Sequence, residues 1–120
     1  MDRVEIARLF TRFEALVHEA EGVECWFARD LLSLFGYDRW ENFVTVVERA
    51  RHACKKAGNA LSDHFRGVTK MVSLGSGAER AIDDVLLTRY ACYLIAQNGD
   101  PRKAEVAFAQ TYFAVQTRKQ

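Results

Sequence analysis

The sequence predicts an α+β domain of about five helices, with one β-hairpin inserted between the third and the fourth. Three observations carry that prediction. Apolar residues recur at helical spacing over most of the chain. Between Phe65 and Ile82 the period shortens to two, the signature of a strand pair. Glycines fall at the joints, at Gly22, Gly36, Gly58, Gly75, Gly77 and Gly99.

Residues 4 to 20 predict a first amphipathic helix, because Ile6, Leu9, Phe10, Phe13, Leu16, Val17 and Ala20 follow the i, i+3, i+4, i+7 rule. Gly22 ends it. Val23-Glu24-Cys25-Trp26 is short and β-prone and reads as an edge strand. A second helix follows from Phe27 to Phe35, with Ala28, Leu31, Leu32 and Phe35 inward and Gly36 as its stop. Asp38 opens a third, and Glu41 stands at capping-box spacing from it. Phe43, Val47, Ala50, Cys54 and Ala57 mark the buried stripe of this third helix, and Gly58 closes it. The short joint at Gly36-Tyr37 is punctuated like a helix-turn-helix, but an ordinary helical corner is the preferred reading.

In the hairpin, Val68, Val72 and Leu74 share one parity, and Thr69, Met71 and Ser73 the other. Gly75-Ser76-Gly77 turns the chain, and Ala78 to Ile82 returns. Asp83 and Asp84 are expected to cap the fourth helix, whose stripe is Leu86, Leu87, Tyr90, Ala91, Leu94 and Ile95. Arg89 is expected to pair with one of those aspartates. Gly99 is expected in the left-handed conformation that ends a helix. Asp100 and Pro101 then suit the start of a fifth helix that reaches at least Val115. That last helix is apolar on more than one face, so it is either central to the fold or half-covered by a partner.

With 120 residues and 49% of them apolar, the chain is one domain's worth of ordered protein. It holds no apolar run near the roughly 20 residues that span a bilayer, and Met1-Asp2-Arg3-Val4 lacks a signal-peptide pattern, so a cytoplasmic, non-membrane protein is expected. Cys25, Cys54 and Cys92 include no Cys-x-x-Cys pair and sit among apolar neighbours, so reduced buried thiols are expected and no zinc. Asp63-His64 and Asp83-Asp84 are the segments that invite a catalytic reading, yet local capping explains both. No Gly-rich phosphate loop is present. The expectation is a non-enzymatic protein without a cofactor.

Two basic groupings could meet a polyanion. Arg66, Lys70 and Arg80 lie on or beside the hairpin, whose Gly75-Ser76-Gly77 tip lets a backbone approach closely. Arg49, His52 and Lys56 are spaced by three and four on the third helix and share a face. A solvated hairpin and a soluble helix face are the plain alternatives. The net charge of +1 is low for a dedicated DNA-binding domain. Trp26 and Trp40 read as core or corner anchors rather than base-stacking platforms.

Several segments recur in a familiar order: Trp26-Phe27-Ala28-Arg29-Asp30-Leu31, Leu34-Phe35-Gly36-Tyr37, Trp40-Glu41-Asn42-Phe43, Asp63-His64-Phe65, Arg89 through Pro101, and Ala109 through Arg118. The chain they spell resembles the DNA-damage-inducible protein D family, and more distantly the Bro-N and phage antirepressor N-terminal domains. The resemblance implies a single Bro-N-like domain over residues 1 to 120, normally the N-terminal part of a longer architecture. It implies regulation in the bacterial SOS or prophage response, with single- or double-stranded DNA as partner and modulation of the RecA recombinase. Within that implication, DNA contact falls to Lys70, Gly75, Ser76, Gly77, Arg80 and neighbouring Arg66, together with the Arg49, His52 and Lys56 face. The antirepressor side of the resemblance implies instead a module that seizes a repressor protein. A homodimer through the fifth helix is compatible with either.

Overall fold

The computed structural model describes residues 3–118. Met1 and Asp2, part of the N-terminus read above for a signal peptide, and Lys119 and Gln120 lie outside the described residues. Ten elements follow in order: α1 (Arg3–Ala15), β1 (His18–Ala20), β2 (Val23–Phe27), α2 (Ala28–Leu31), α3 (Trp40–Lys56), α4 (Leu61–His64), β3 (Phe65–Ser73), β4 (Glu79–Leu87), α5 (Arg89–Asn98) and α6 (Ala104–Arg118). The α+β class holds. The expected second helix, Phe27 to Phe35, shrinks to the single turn α2, and a further single turn, α4, makes the expected five six among the described residues.

The four strands form one antiparallel sheet in the order β1-β2-β4-β3. The first helix is shorter than expected: its apolar period runs on through Leu16 and Val17, but His18–Ala20 pairs with Val23–Cys25 as a small hairpin. Glu21 (φ 54°) and Gly22 (φ 80°) make that turn, so Gly22 serves a strand joint rather than a helix stop. Only Trp26↔Leu87 and Phe27↔Leu86 join β2 to β4, whereas β3 and β4 pair along nine residues each. The second strand of the hairpin therefore runs on to Leu87. Asp83, Asp84, Leu86 and Leu87 are strand residues, not the cap and first turn of a helix.

The core lies between the base of the sheet and the helices. Trp26 is fully buried, stacks on Phe13 at 4.4 Å and donates its indole N–H to the Phe13 carbonyl at 2.8 Å. Phe35, Tyr37 and Phe43 fill the corner between α2 and α3, and Ile95, Val106, Ala109 and Phe113 close the α5–α6 contact. Most of both apolar faces of α6 is used inside the chain: Val106, Phe108, Ala109, Tyr112 and Phe113 are buried, while Val115 is exposed. The helix is central to the fold, and Val115 is the large apolar residue it leaves exposed among the described residues.

Caps differ from expectation in informative ways. Helix α3 starts at Trp40 after Arg39, without a side-chain cap. Thr88 caps α5 by accepting the Ala91 N–H at 3.2 Å. Gly99 is not left-handed (φ −78°, ψ 171°); glycine suits it because a Cβ would stand 3.0 Å from Val106 Cγ1. Asp100 does accept the Arg102 N–H at 3.0 Å, but Pro101 lies in the turn and α6 begins at Ala104. Gly36 is the joint where glycine is needed, for its φ of +79°; the Glu105 carboxylate, the end of an exposed side chain, lies 2.7 Å from where a Cβ would be and can swing aside.

Candidate nucleic-acid interface

The β3–β4 ribbon leaves the core early. From Val68 to Ser73, paired with Asp84 to Glu79, the two strands have only each other as partners, a length of roughly 20 Å at strand rise. The radius of gyration, 14.8 Å, exceeds the about 13.6 Å of a compact chain this long, and the longest extent is 47 Å. At the tip the Leu74 N–H donates to the Ala78 carbonyl at 3.0 Å, and Gly75 and Gly77 both take positive φ, 82° and 84°. Those angles strain any side chain, so the Gly-Ser-Gly tip is a requirement of the turn itself.

The register sorts the ribbon's charges. Arg66 pairs with Leu86, Val68 with Asp84, Lys70 with Ile82 and Val72 with Arg80, so these eight share one face. Thr69 pairs with Asp83 and Ser73 with Glu79, which places both of those acids on the other. Successive side chains alternate across a strand, and here alternation puts all three cations on one face and the exposed acids Glu79 and Asp83 on the other; the acid that shares the basic face, Asp84, is buried. Arg66 and Arg80 are exposed.

Lys70 is placed differently. Its ammonium lies 3.1 Å from Asp84 Oδ2 and 4.0 Å from the centre of the Phe27 ring. Asp84 is 2% exposed. Its Oδ1 accepts the backbone N–H of Arg29 at 3.0 Å and of Val85 at 2.8 Å, while Oδ2 makes no hydrogen bond and faces the lysine charge. Asp84 thus satisfies a free N–H in the first turn of α2, from a distant strand. The aspartate expected to cap a helix does so, but the helix is α2 rather than α5. Arg29 completes the clamp, donating to the Asp83 carbonyl at 2.6 Å with its guanidinium 4.1 Å from the Trp40 ring centre.

Arg49, His52 and Lys56 are exposed and line a shallow groove with Val44, Ala53 and Asn98. They share a face, as their spacing required. The α3 residue directed at the ribbon base is Arg51, 5.9 Å from the Phe65 ring centre. At 3.6 residues per turn the Arg49, His52 and Lys56 stripe points roughly 130° away from Arg51. The two basic groupings are separate surfaces.

Arg89 pairs with neither expected aspartate. It forms a fork to Glu14, Nη1 to Oε2 and Nη2 to Oε1 at 2.8 Å each, and reaches Glu24 at 3.2 Å. The Tyr112 hydroxyl donates to the same Glu14 carboxylate. Those bonds hold the Glu14 carboxyl below its usual range and the Arg89 guanidinium above its own; burial and Glu14 push the Tyr112 phenol up to about 12. The cluster ties α1, β2, α5 and α6 together, a bracing role. Sequence reading missed Glu14, since nothing local marks a surface-phased glutamate as the partner of an arginine 75 residues away.

His64 and Thr88 are hydrogen-bonded at 2.7 Å, while Asn59 donates to the Tyr90 hydroxyl at 3.0 Å. His64 is thus engaged in joining α4 to the start of α5. All three cysteines are buried free thiols, and burial pushes the Cys54 and Cys92 thiols up. Among the described residues no helix is long and apolar enough to cross a membrane.

Residues 15–114 match the family model of the BRO family, N-terminal domain. The chain is also 50% identical over 101 residues to the DNA damage-inducible protein D of Escherichia coli (strain K12), an alignment covering 84% of this chain and 37% of that protein. It therefore spans well under half of that relative's length. No solved structure matches it.

Proposed function

This chain belongs to the family of BRO N-terminal domains, and from that premise we propose that it is a regulatory module of the bacterial DNA-damage response that holds nucleic acid on the basic face of the β3–β4 ribbon. The observation carrying this reading is the sorting of exposed charge along a projecting ribbon: Arg66 and Arg80 on one face, with Lys70 paired to the buried Asp84 between them, and Glu79 and Asp83 on the other. A chain of net charge +1 has little long-range attraction for a polyanion, so contact has to come from local sorting of this kind. Arg66 and Arg80 supply the phosphate contacts. Lys70, with its charge facing Asp84, chiefly sets the ribbon's angle to the core, and the Gly75-Ser76-Gly77 tip lets the backbone come close to the ligand. The Arg49, His52 and Lys56 stripe is a secondary surface for a strand that wraps the domain. Modulation of RecA belongs to the same proposal, as an activity of the longer architecture.

A second reading is favoured by one observation. Met71 and Leu74 on the ribbon are 59% and 56% exposed, which suits capture of a repressor or other regulator. Fluorescence anisotropy with labelled single- and double-stranded oligonucleotides over a salt series separates the two. Binding that weakens steeply with salt supports nucleic acid. No binding at low salt refutes it and leaves the protein partner.

A further inference from the structure

The edge of the sheet carries a pattern that the single chain does not use. Strand β3 is an outer strand, nine residues long, without proline. Long open edges invite pairing, and proteins usually block them with an outward lysine or a proline. Here the lysine is turned to Asp84 instead. The face opposite the basic one pairs an exposed Met71 with an open Gly67, around which a Cβ would meet nothing within 4 Å. These two residues stand symmetrically about Thr69.

We infer that a second copy of this chain pairs antiparallel along β3, with Thr69 on the two-fold axis. In that register Thr69 faces its own counterpart, Met71 covers the partner's Gly67, Val68 faces the partner's Lys70 and Val72 the partner's Arg66. No like charges are opposed. Centring on Val68 would set Arg66 against Lys70, and centring on Lys70 would set that lysine against itself, both unfavourable. The contact is isologous and closes as a dimer.

The consequence bears on the ligand, and here the inference rests on the proposed function. A two-fold axis perpendicular to a sheet keeps like faces together. The basic faces of both ribbons therefore merge into one four-stranded surface carrying Arg66, Lys70 and Arg80 from each copy. Four strands at the usual spacing span roughly 14 Å, wider than the about 12 Å major groove. The surface therefore meets phosphates along a backbone and does not enter a groove.

The experiment uses the 120-residue chain with single cysteine substitutions. The native thiols are buried and leave the background low. Thr69→Cys is expected to form a disulfide-linked dimer under mild oxidation. Ser73→Cys, whose counterpart would lie roughly 26 Å away across the axis, is expected to stay unlinked. Sedimentation equilibrium is expected to show a dimer that Thr69→Glu weakens at least ten-fold. Equal linkage at both positions, or a monomer at every concentration without linkage at Thr69→Cys, overturns the inference. Anisotropy on oxidised and reduced Thr69→Cys then reads the ligand arm. At least ten-fold tighter oligonucleotide binding by the linked form supports the merged surface, and equal affinities refute it. A linked dimer that binds no nucleic acid upholds β3 pairing and refutes the proposed function.

Discussion

Removing the Lys70 charge has a cost that can be worked from the geometry of its partner. Lys70→Met keeps an unbranched stem over Phe27 but deletes the ammonium 3.1 Å from Asp84 Oδ2. The carboxylate left behind is 2% exposed and keeps only the two backbone N–H groups on Oδ1. Breaking a buried ion pair by deleting one partner costs about 3–5 kcal/mol. Lys70 is itself 32% exposed, so water enters where the ammonium was, and the expected loss falls to about 2 kcal/mol. For a chain of this size that is a fall in Tm of about 8 °C. Asp84→Asn in the same background keeps an oxygen for the Arg29 and Val85 N–H groups while removing the stranded charge. The double variant is therefore expected to recover about 1 kcal/mol relative to Lys70→Met alone. Urea denaturation followed by tryptophan fluorescence measures all four members of the cycle. A single variant within about 0.5 kcal/mol of the parent, or a double variant less stable than Lys70→Met, would refute the argument.

Acid stability follows from Glu14, whose folded carboxyl is held below its unfolded value chiefly by the Arg89 hydrogen bonds. That contribution is present above the unfolded pKa and lost as pH falls through the folded one. Thermal melts from neutral pH into the acid range should thus show a steeper loss in the parent than in Glu14→Gln. Gly36→Ala is held at a φ of +79°, so a loss of about 1–2 kcal/mol is expected, the Glu105 carboxylate swinging aside at little cost. Adding Glu105→Ala should therefore recover little, because the backbone strain remains; a full rescue in chemical denaturation would show the strain argument to be wrong.

The resemblance and the α+β class were legible because long periodic segments dominate. Helix α3 buries Phe43, Val47, Ala50 and Cys54 and α5 buries Ala91, Leu94 and Ile95 as spacing put them, though Ala57 is exposed past the end of α3, and the hairpin's parity was right from Val68 onward. Boundaries failed where periodicity is ambiguous. Leu16 and Val17 fit a helical stripe as well as a strand, and long-range pairing with β2 decided that the chain turns back at His18. Leu86 and Leu87 fit the α5 stripe, yet their pairing with Phe27 and Trp26 holds them in β4. Asp83-Asp84 reads locally as a cap, and only the register shows that one acid faces solvent while the other is buried against α2. The charge sorting of the ribbon was half-legible. Arg66, Lys70 and Arg80 were visible as a group, but the opposition of Glu79 and Asp83 needs the register, and the Lys70–Asp84 pair is a tertiary fact. The Arg89 cluster shows the same limit, since its partners come from α1 and β2.

The central claim is that exposed cations on one ribbon face hold phosphates. The salt dependence of oligonucleotide affinity in Arg66→Ala, Arg80→Ala tests it most directly, with Glu79→Ala, Asp83→Ala as the opposite-face control. Each phosphate contact contributes about 0.7–0.9 to the slope of log affinity against log salt. The account predicts that the double arginine variant loses affinity and about 1.5 units of slope, while the acid-face control keeps the parent's slope. A slope unchanged in Arg66→Ala, Arg80→Ala would contradict it.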